Sequence, residues 1–422
     1  MKQRRILILM ITAAVATVAL LGLPVVAKTQ VFFASTQFRP IEEQQFIRDE
    51  ILHPFTEKTA IKVTMLNEDY GPFIDRLLAE AKAKKSNTDV FGTLHGDFPD
   101  LLANGIPQDL KNLPALPGRT FIPELVKLGQ MNGQQVYIPW TQATYLMVAN
   151  KKALAYLPTG VELNALTYEQ LLQWAKNMHE QTGGPKFGFP GGPKGLFGRM
   201  LHGYLYPSYT GHQVQKFNSP EGIELWKYLK ELFKYSHPSS VIYESMSDPL
   251  LLEEVWVVWD HTARSSPALR EKPDQFVAFP SPAGPKGRAF ISVIAGLGIP
   301  RGAKNLEESW KLIDLFTQPE TQVKILKGTG FFPTTYEAIN YVPEGALKIL
   351  AEAVTKQAGA TDGIVTLLPV GLGNRSGEFV PIYTDTFQAI VVQGRPIETT
   401  LKRQEAILQK LFAETGAPYP QP

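Results

Sequence analysis

The sequence predicts an α/β protein made of more than one domain. Along residues 31–94, short apolar segments alternate with segments of helical periodicity, and this order is typical of a parallel sheet covered by helices. The length of 422 residues corresponds to about two or three domains. The composition is 44% hydrophobic and 10% aromatic, which excludes intrinsic disorder.

Charge and cysteine content exclude several functional classes. The 42 Lys and Arg residues nearly balance the 40 Asp and Glu residues, so the chain lacks the basic field of a nucleic-acid-binding protein. Without cysteine, it has no disulfide, thiolate nucleophile or lipid-modified N-terminal cysteine. The histidines show no metal-ligand spacing, and the glycines of 296–302 and 371–377 do not match a dinucleotide loop. We therefore expect neither a metal nor a cofactor.

Residues 1–27 have the layout of a secretory signal peptide. Basic residues precede the uncharged run 6–23, and Val25 and Ala27 are the small residues expected before a cut after Ala27. An uncleaved membrane anchor is the alternative, because the uncharged run reaches the lower limit of a transmembrane span. In both cases the rest of the chain is expected outside the cytoplasmic membrane, either free in a periplasm or tethered at the cell surface.

Three predicted strands open the mature chain, at 31–34, 61–66 and 89–94, with helices over 41–55 and after Pro72 between them. The carboxyl ends of parallel strands meet at one edge of the sheet, where ligands bind. The residues that follow these strands are therefore predicted to line a site: Gln37, Tyr70, His95 and Asp97.

The middle and the end of the chain continue in the same style. The predicted strands there are 136–139, 144–150, 255–260, 276–280 and 290–299. The predicted helices begin at Thr167, Ser219, Asn305, Pro319 and about residue 397. The segment 183–211 is rich in Gly, Pro and Tyr and too long for a plain connection, so it is predicted to shape a cleft.

Aromatic and polar side chains at the predicted strand ends favour a carbohydrate site. They are Tyr70, Trp140, Gln142, Trp259, Asp260, Phe331 and Phe332. A flat aromatic ring covers the C–H face of a sugar, and polar groups bind its hydroxyls. Packing in the core is the alternative for the two tryptophans. His95 and His261 follow predicted strands and are either ligand contacts or hydrogen-bonded loop residues.

Several segments, taken in order, resemble one known family. They include FTEKTAIKV at 55–63, NGQQVYIP at 132–139, TYEQLL at 167–172, FPSPAGP at 279–285 and GFFPT at 330–334. In their order and spacing they resemble extracellular solute-binding proteins of family 1, the maltose-binding-like group of sugar ABC transporters. The resemblance extends from Val31 to Phe412. The segment 255–260 departs from the family pattern, because it lacks the usual alanine–methionine pair and glycine.

The resemblance implies a type II periplasmic-binding-protein-like fold, with two α/β lobes and a ligand cleft between them. It implies a first lobe of 28–142 plus 285–334 and a second lobe of 143–284 plus 335–422. The chain would cross between lobes near 141–144, near 280–285 and after Pro333. The ligand contacts predicted in this way and from the strand ends are Gln37, Tyr70, His95, Asp97, Trp140, Gln142, Trp259, Asp260, His261, Arg264, Phe331, Asn374 and Arg375.

The function implied is a monomeric receptor that captures a mono- or oligosaccharide and delivers it to a membrane permease, without making or breaking a bond. Three alternatives remain open at this point. The same fold binds glycerol phosphate, a polyamine or ferric iron; the chain is a secreted carbohydrate-active enzyme with two essential acids, for which Asp97 and Asp260 are candidates; or it presents its ligand to a sensor.

Overall fold

A computed structural model describes residues 29–38 and 41–420. The predicted signal peptide lies outside these residues. The described chain is a mixed α/β protein, as predicted. Its strands are β1 (Thr29–Ser35), β2 (Ile61–Asn67), β3 (Val90–Leu94), β4 (Gln130–Met131), β5 (Gln134–Gln135), β6 (Ile138–Ala143), β7 (Tyr145–Asn150), β8 (Phe187–Gly188), β9 (Val257–His261), β10 (Phe276–Phe279), β11 (Arg288–Ile291), β12 (Val293–Gly298) and β13 (Gly363–Thr366).

Helices cover the sheets. They are α1 (Ile41–Ile47), α2 (His53–Thr59), α3 (Tyr70–Lys82), α4 (Phe98–Ala103), α5 (Pro123–Leu128), α6 (Tyr168–Thr182), α7 (Phe197–Met200), α8 (Tyr206–Thr210), α9 (Pro220–Lys234), α10 (Ser247–Leu251), α11 (Thr262–Glu271), α12 (Leu306–Thr317), α13 (Pro319–Thr329), α14 (Ala346–Ala358), α15 (Phe379–Phe387) and α16 (Ile397–Thr415). A single π-helical turn joins α1 to α2, and another joins α7 to α8. Among the described helices, none has both the length and the apolar character needed to cross a membrane.

The first sheet confirms the predicted parallel arrangement. Its order is β2-β1-β3-β12-β6, and β1 pairs in parallel with both β2 and β3. Strand β12 lies between β3 and β6 and runs antiparallel to both. The carboxyl ends of β1, β2 and β3 therefore lie at one edge, as the sequence predicts.

The second sheet has the order β10-β7-β9-β8, and β11 pairs with β13 in a separate ribbon. The chain passes from the first sheet to the second at Thr144, between β6 and β7. It returns at Ser292, between β11 and β12. The segment 280–285, predicted to cross, instead packs on the second sheet's helices, where the carbonyl of Ala283 accepts a hydrogen bond from the N–H of Tyr168 at 3.0 Å. We therefore propose that the first lobe resumes near Ser292 rather than at residue 285.

Helix starts were predictable where a cap is formed. Thr167 accepts a hydrogen bond from the N–H of Gln170, whose side chain accepts from the N–H of Thr167, so the predicted capping box is confirmed. Ser219 caps α9 as predicted. Asn305 does not cap α12, because its amide donates to the carbonyl of Gln30 and to Asp89 instead.

Two predicted segments differ from the structure. The strand predicted over 136–139 runs over Ile138–Ala143, so Trp140 and Gln142 lie inside it rather than beyond its end. The segment 183–211 contains α7, α8 and the π-helical turn between them, and its tyrosines Tyr204 and Tyr206 are fully buried in the core of the second lobe. Tyrosine oxygens therefore do not form an exposed iron site here.

Gln322 of α13 holds the third crossing in place. Its side-chain N–H donates to the carbonyl of Trp140 at 2.9 Å and to the hydroxyl of Thr334 at 2.9 Å. Its oxygen accepts from the N–H of Thr334 at 3.1 Å and from the hydroxyl of Thr335 at 2.9 Å. One buried amide thus ties β6 to the segment that leads out of the first lobe.

We expect Gln322→Leu to lower the free energy of unfolding by about 1–3 kcal/mol, because the substitution leaves buried donors and acceptors without partners. Urea unfolding followed by circular dichroism measures the change. Gln173→Leu is the matched control, because Gln173 is exposed on α6 and bonds only to Asn177. Equal stability of the two variants would contradict a role for Gln322 at the crossing.

Candidate functional site

The edge formed by β1, β2 and β3 brings three of the predicted residues together. The side chain of Gln37 donates to Thr36 at 2.9 Å, and the hydroxyls of Thr36 and Thr93 lie 3.0 Å apart. Thr93 in turn donates to the carboxylate of Asp97. This chain of hydrogen bonds links the end of β1 to the end of β3, with His95 in the same turn as Asp97.

Burial shapes the electrostatics of this edge. It raises the pKa of Asp97, an effect that the hydrogen bond from Thr93 opposes. It lowers the pKa of His95 to about 4, so the imidazole is neutral at pH 7. The Nδ1 of His95 lies 2.8 Å from the hydroxyl of Tyr137. The first-lobe edge therefore presents a carboxylate beside neutral hydrogen-bonding groups, which suits a ligand with hydroxyl groups.

In the second lobe, the start of β7 lies beside the end of β9. Tyr145 and His261 are direct partners across these two strands. The ring of Tyr145 meets that of His261 edge-on at 4.9 Å. The Nδ1 of His261 accepts the N–H of Ala263, and burial and then Arg264 lower the pKa of His261 to about 4.

A large cleft lies where the two lobes face each other. A cavity of about 1120 Å³ is lined by residues of the first lobe, including His95, Leu102 and Met131, and by residues of β13 and the segment after it, including Ile364 and Leu367. The segment after β13 also lies close to the first-lobe edge. A Cβ atom placed on Gly96 would lie only 2.7 Å from Cγ1 of Val370. The sequence analysis missed residues 363–370.

The two tryptophans predicted as ligand contacts lie in the cores of the lobes, which is the alternative that the sequence left open. Trp140 is fully buried in the first-lobe core, edge-on to Phe33 and Phe38. Trp259 is fully buried in the second lobe and stacks on Tyr145. Neither ring is accessible to the face of a sugar.

Two predicted polar contacts are also engaged inside the protein. The side chain of Gln142 is buried and donates to the carbonyl of Pro333 at 2.7 Å. The carboxyl of Asp260 is buried and accepts the N–H groups of Met246 at 2.9 Å and His261 at 2.7 Å. The side-chain N–H of Gln142 and both carboxylate oxygens of Asp260 are therefore already engaged within the protein.

The remaining predicted contacts have different environments. Phe331 is half-buried and packs edge-on against Phe38 at 6.0 Å. Arg375 forms ion pairs with Glu378 and Glu414, so its charge is neutralised within the second lobe. Arg264 donates to the carbonyls of Lys194 at 3.0 Å and Glu244 at 2.6 Å. The side chains of Tyr70 and Asn374 lie outside the described part of the structure.

Arg199 of α7 is a charged residue that the sequence analysis did not single out. It is half-buried on this short helix. It lies in the segment 183–211, which the sequence predicts to shape a cleft. No pattern distinguishes this arginine in the sequence, because its position depends on how α7 packs on α15, where a Cβ on Gly198 would touch Val380.

In residues 29–38 and 41–420, no group of His, Asp and Glu side chains is placed to hold a metal ion. Two lobes, each with its own sheet, face each other across a cleft to which His95, at the carboxyl end of β3, contributes. This fold and site define the class of two-lobed solute-binding proteins.

The chain belongs to the bacterial extracellular solute-binding protein family, whose model matches residues 50–352. Among curated proteins, none matches the sequence. The fold is similar to that of the sugar-binding protein MalE from Xanthomonas citri, with a TM-score of 0.71, 15% identity and coverage of 91% of this chain and 98% of that one. It therefore has the type II periplasmic-binding-protein fold, as predicted.

Two further solved structures are similar. A family 1 extracellular solute-binding protein from Alicyclobacillus acidocaldarius has a TM-score of 0.73 and 12% identity, with 90% of this chain and 98% of that one covered. The cyclic alpha-maltosyl-1,6-maltose binding protein from Arthrobacter globiformis has a TM-score of 0.65 and 14% identity, with 91% and 99% covered. Identities this low establish the fold and leave the ligand to be argued from the site.

Proposed function

We propose that the chain is a receptor that captures a carbohydrate between its lobes and delivers it to the permease of an ABC transporter. The observation that carries the proposal is the cleft of about 1120 Å³ lined by both lobes, in a chain of the solute-binding family. Two of the similar structures, from Xanthomonas citri and Arthrobacter globiformis, are sugar-binding by name. The volume exceeds what a single small solute needs, which favours an oligosaccharide.

The proposed mechanism is capture by closure. The first-lobe edge binds the hydroxyls of the ligand through Gln37, His95 and Asp97. Contacts with the second lobe then stabilise the closed form, because a ligand shifts an equilibrium only by its additional contacts in the favoured state. The proposed lobes are the predicted ones with the boundary moved to Ser292. We propose further that the protein is monomeric and is exported by residues 1–27.

Members of the family are binding proteins, and we propose that this chain performs no catalysis. One of the two acids suggested for a glycosidase, Asp260, does not have the freedom that such chemistry requires. Both carboxylate oxygens of Asp260 already accept backbone N–H groups in the core, so this residue is not available to act on a glycosidic bond.

Thermal unfolding of the purified protein against a panel of neutral and acidic mono- and oligosaccharides tests the proposal. A ligand that binds only the folded state raises the midpoint by mass action, by an amount that grows with its concentration. We expect one sugar class to raise the midpoint and to be recovered intact. A sugar recovered cleaved would establish an enzyme, and the absence of any shift with every sugar would refute the carbohydrate proposal.

Gly96→Val makes the same test specific to the cleft. The added side chain would press on Val370 and keep the segment 363–370 away from the first-lobe edge. We expect at least a tenfold loss of affinity with little change in the unliganded midpoint. Gly184→Val is the matched control, since a Cβ on Gly184 meets no atom within 4 Å. Equal affinity of both variants would place the ligand elsewhere.

A further inference from the structure

A smaller cavity lies beside the crossing between β6 and the segment after α13. Its volume is about 280 Å³, and it shares no lining residue with the cleft of about 1120 Å³. Helix α11 and the end of α13 form two of its walls, and α14 contributes Leu347 and Leu350. Phe332 also lines it, and the backbone of Phe332 is bonded to that of Gln142 in β6. The proposed function assigns no role to this cavity.

Two buried residues of α11 line the cavity with hydroxyl groups that have no partner. Thr262 is 1% exposed and Ser266 is 8% exposed. Neither Oγ1 of Thr262 nor Oγ of Ser266 forms a hydrogen bond within the described part of the chain. A buried hydroxyl without a partner is costly, and a polar ligand in the cavity would supply one.

A cationic side chain lies on the same face of α11 as these hydroxyls. Thr262, Ser266 and Arg270 are spaced four residues apart, which places them along one face of the helix, and all three line the cavity. Side chains on a helix lean towards its N-terminus, so that of Arg270 is directed back towards Ser266. Lys327, in the last turn of α13, supplies a second cation from the other wall.

The charged side chains that line the cavity are all positive. Arg270 and Lys327 are among the lining residues, and no Asp or Glu is. The positive end of the helix dipole of α11 adds to this field. The end of α13 carries the opposite partial charge, but Lys327 lies in the same turn, and the carbonyl of Leu326 already accepts the N–H of Gly330 at 2.9 Å.

The first backbone N–H groups of α11 are already engaged. That of Thr262 donates to the carbonyl of Thr144 at 3.1 Å, and that of Ala263 donates to Nδ1 of His261 at 3.2 Å. A ligand in the cavity would therefore be recognised by the side-chain hydroxyls and the two cations rather than by these N–H groups.

We propose that this cavity is an oxyanion site, in which Thr262 and Ser266 donate hydrogen bonds and Arg270 and Lys327 supply the charge. The ligand carries a phosphate or carboxylate group, because a guanidinium binds either group through two parallel N–H···O bonds. The site is separate from the cleft, so the inference does not depend on the carbohydrate proposal.

Isothermal titration calorimetry of the purified protein with sodium phosphate and with sodium acetate tests the site. The buffer is HEPES, with sodium chloride replaced by the titrated salt at constant ionic strength so that general screening does not change. We expect one of the two oxyanions to bind with a stoichiometry of one ion per chain. The two titrations distinguish phosphate from carboxylate as the group that is bound.

The variants Ser266→Ala and Arg270→Gln should each weaken this binding by about ten- to a hundredfold, the effect of losing a charge-assisted hydrogen bond. Arg48→Gln is the matched control, because Arg48 is exposed in the π-helical turn between α1 and α2. Without anion, Ser266→Ala should not lower the midpoint of thermal unfolding, because the hydroxyl that it removes has no partner in the fold.

Four results would overturn the inference. The first is the absence of binding by both oxyanions at millimolar concentration. The second is equal affinity of Ser266→Ala, Arg270→Gln and the unsubstituted protein. A midpoint lowered by Ser266→Ala without anion would show that the hydroxyl bonds within the fold, and equal weakening by Arg48→Gln would show general attraction to positive charge. None of these results bears on the carbohydrate proposal.

Discussion

Replacing Trp259 with alanine is expected to lower the free energy of unfolding by about 3–5 kcal/mol, because it leaves a large cavity in the second-lobe core. The side chain is fully buried. Its ring stacks on Tyr145 with centroids 4.8 Å apart and planes at 2°, and it meets Tyr204 edge-on at 5.2 Å. Aromatic pairs add about 0.5–1.5 kcal/mol beyond the area they bury. Urea unfolding monitored by circular dichroism measures the loss.

Trp256→Ala is the matched control in the same segment. Trp256 is half-buried, and its ring is covered by the ammonium groups of Lys152 and Lys186 at 5.3 and 5.1 Å. We expect a smaller loss, since these cation–π contacts are each worth about 0.5–1 kcal/mol at an exposed site. Should Trp259→Ala unfold like the unsubstituted protein yet lose its ligand, the ring would belong to the cleft and its placement in the core would be wrong.

Periodicity in the sequence predicts the first-lobe edge well. Strands β1 to β3 are short apolar segments separated by helical faces, and their pairing is parallel because each connection contains a helix. Because the strands are parallel, the residues that follow them lie at the same edge of the sheet. Gln37, His95 and Asp97 could therefore be placed together from the sequence alone. The ligand role of these residues stays a prediction.

The sequence could not show whether the two tryptophans, Trp140 and Trp259, lie in a core or in the cleft. Strand β9 is buried on both faces, so alternation does not say whether Trp259 points to a core or to a cleft. Trp140 was misplaced for a different reason. Its strand continues to Ala143, and the ring packs inside the sheet's own core rather than beyond the strand end.

Long-range packing determines the rest of the site. The segment around Val370 reaches Gly96 only because β13 pairs with β11 at the second crossing. Helix α7 lies against α15, where a Cβ on Gly198 would lie 2.4 Å from Cγ1 of Val380. Contacts between residues so far apart in the chain leave no local pattern in the sequence. A helix cap or the alternation of a strand, in contrast, can be recognised from neighbouring residues. The position of residues 363–370 beside the first-lobe edge therefore emerges only from the structure.

Asp260 is expected to make the stability of the protein depend on pH. Burial raises its pKa to about 7, although the hydrogen bonds from Met246 and His261 and the charge of Arg264 lower it. In the unfolded chain the pKa of Asp is about 3.9. Between about pH 4 and 7 the folded state therefore binds the proton that the unfolded state has released, so the contribution of Asp260 to stability decreases as pH rises through this window. The full difference is about 4 kcal/mol, from about 1.4 kcal/mol per pKa unit.

Asp260→Asn should remove this slope, and urea unfolding between pH 4 and 7.5 measures it. His95 and His261, whose pKa values are lowered to about 4, contribute the opposite slope between about pH 4 and 6.5, so the difference between variant and unsubstituted protein isolates Asp260. The variant is also less stable throughout, because one amide oxygen cannot accept both backbone N–H groups as well as a carboxylate does. Asp248→Asn, on the exposed face of α10, controls for the loss of a charge. Identical slopes in Asp260→Asn and the unsubstituted protein would mean that the carboxylate is ionised in the folded state at pH 5, and Asp260 would return as a candidate for direct contact with a ligand.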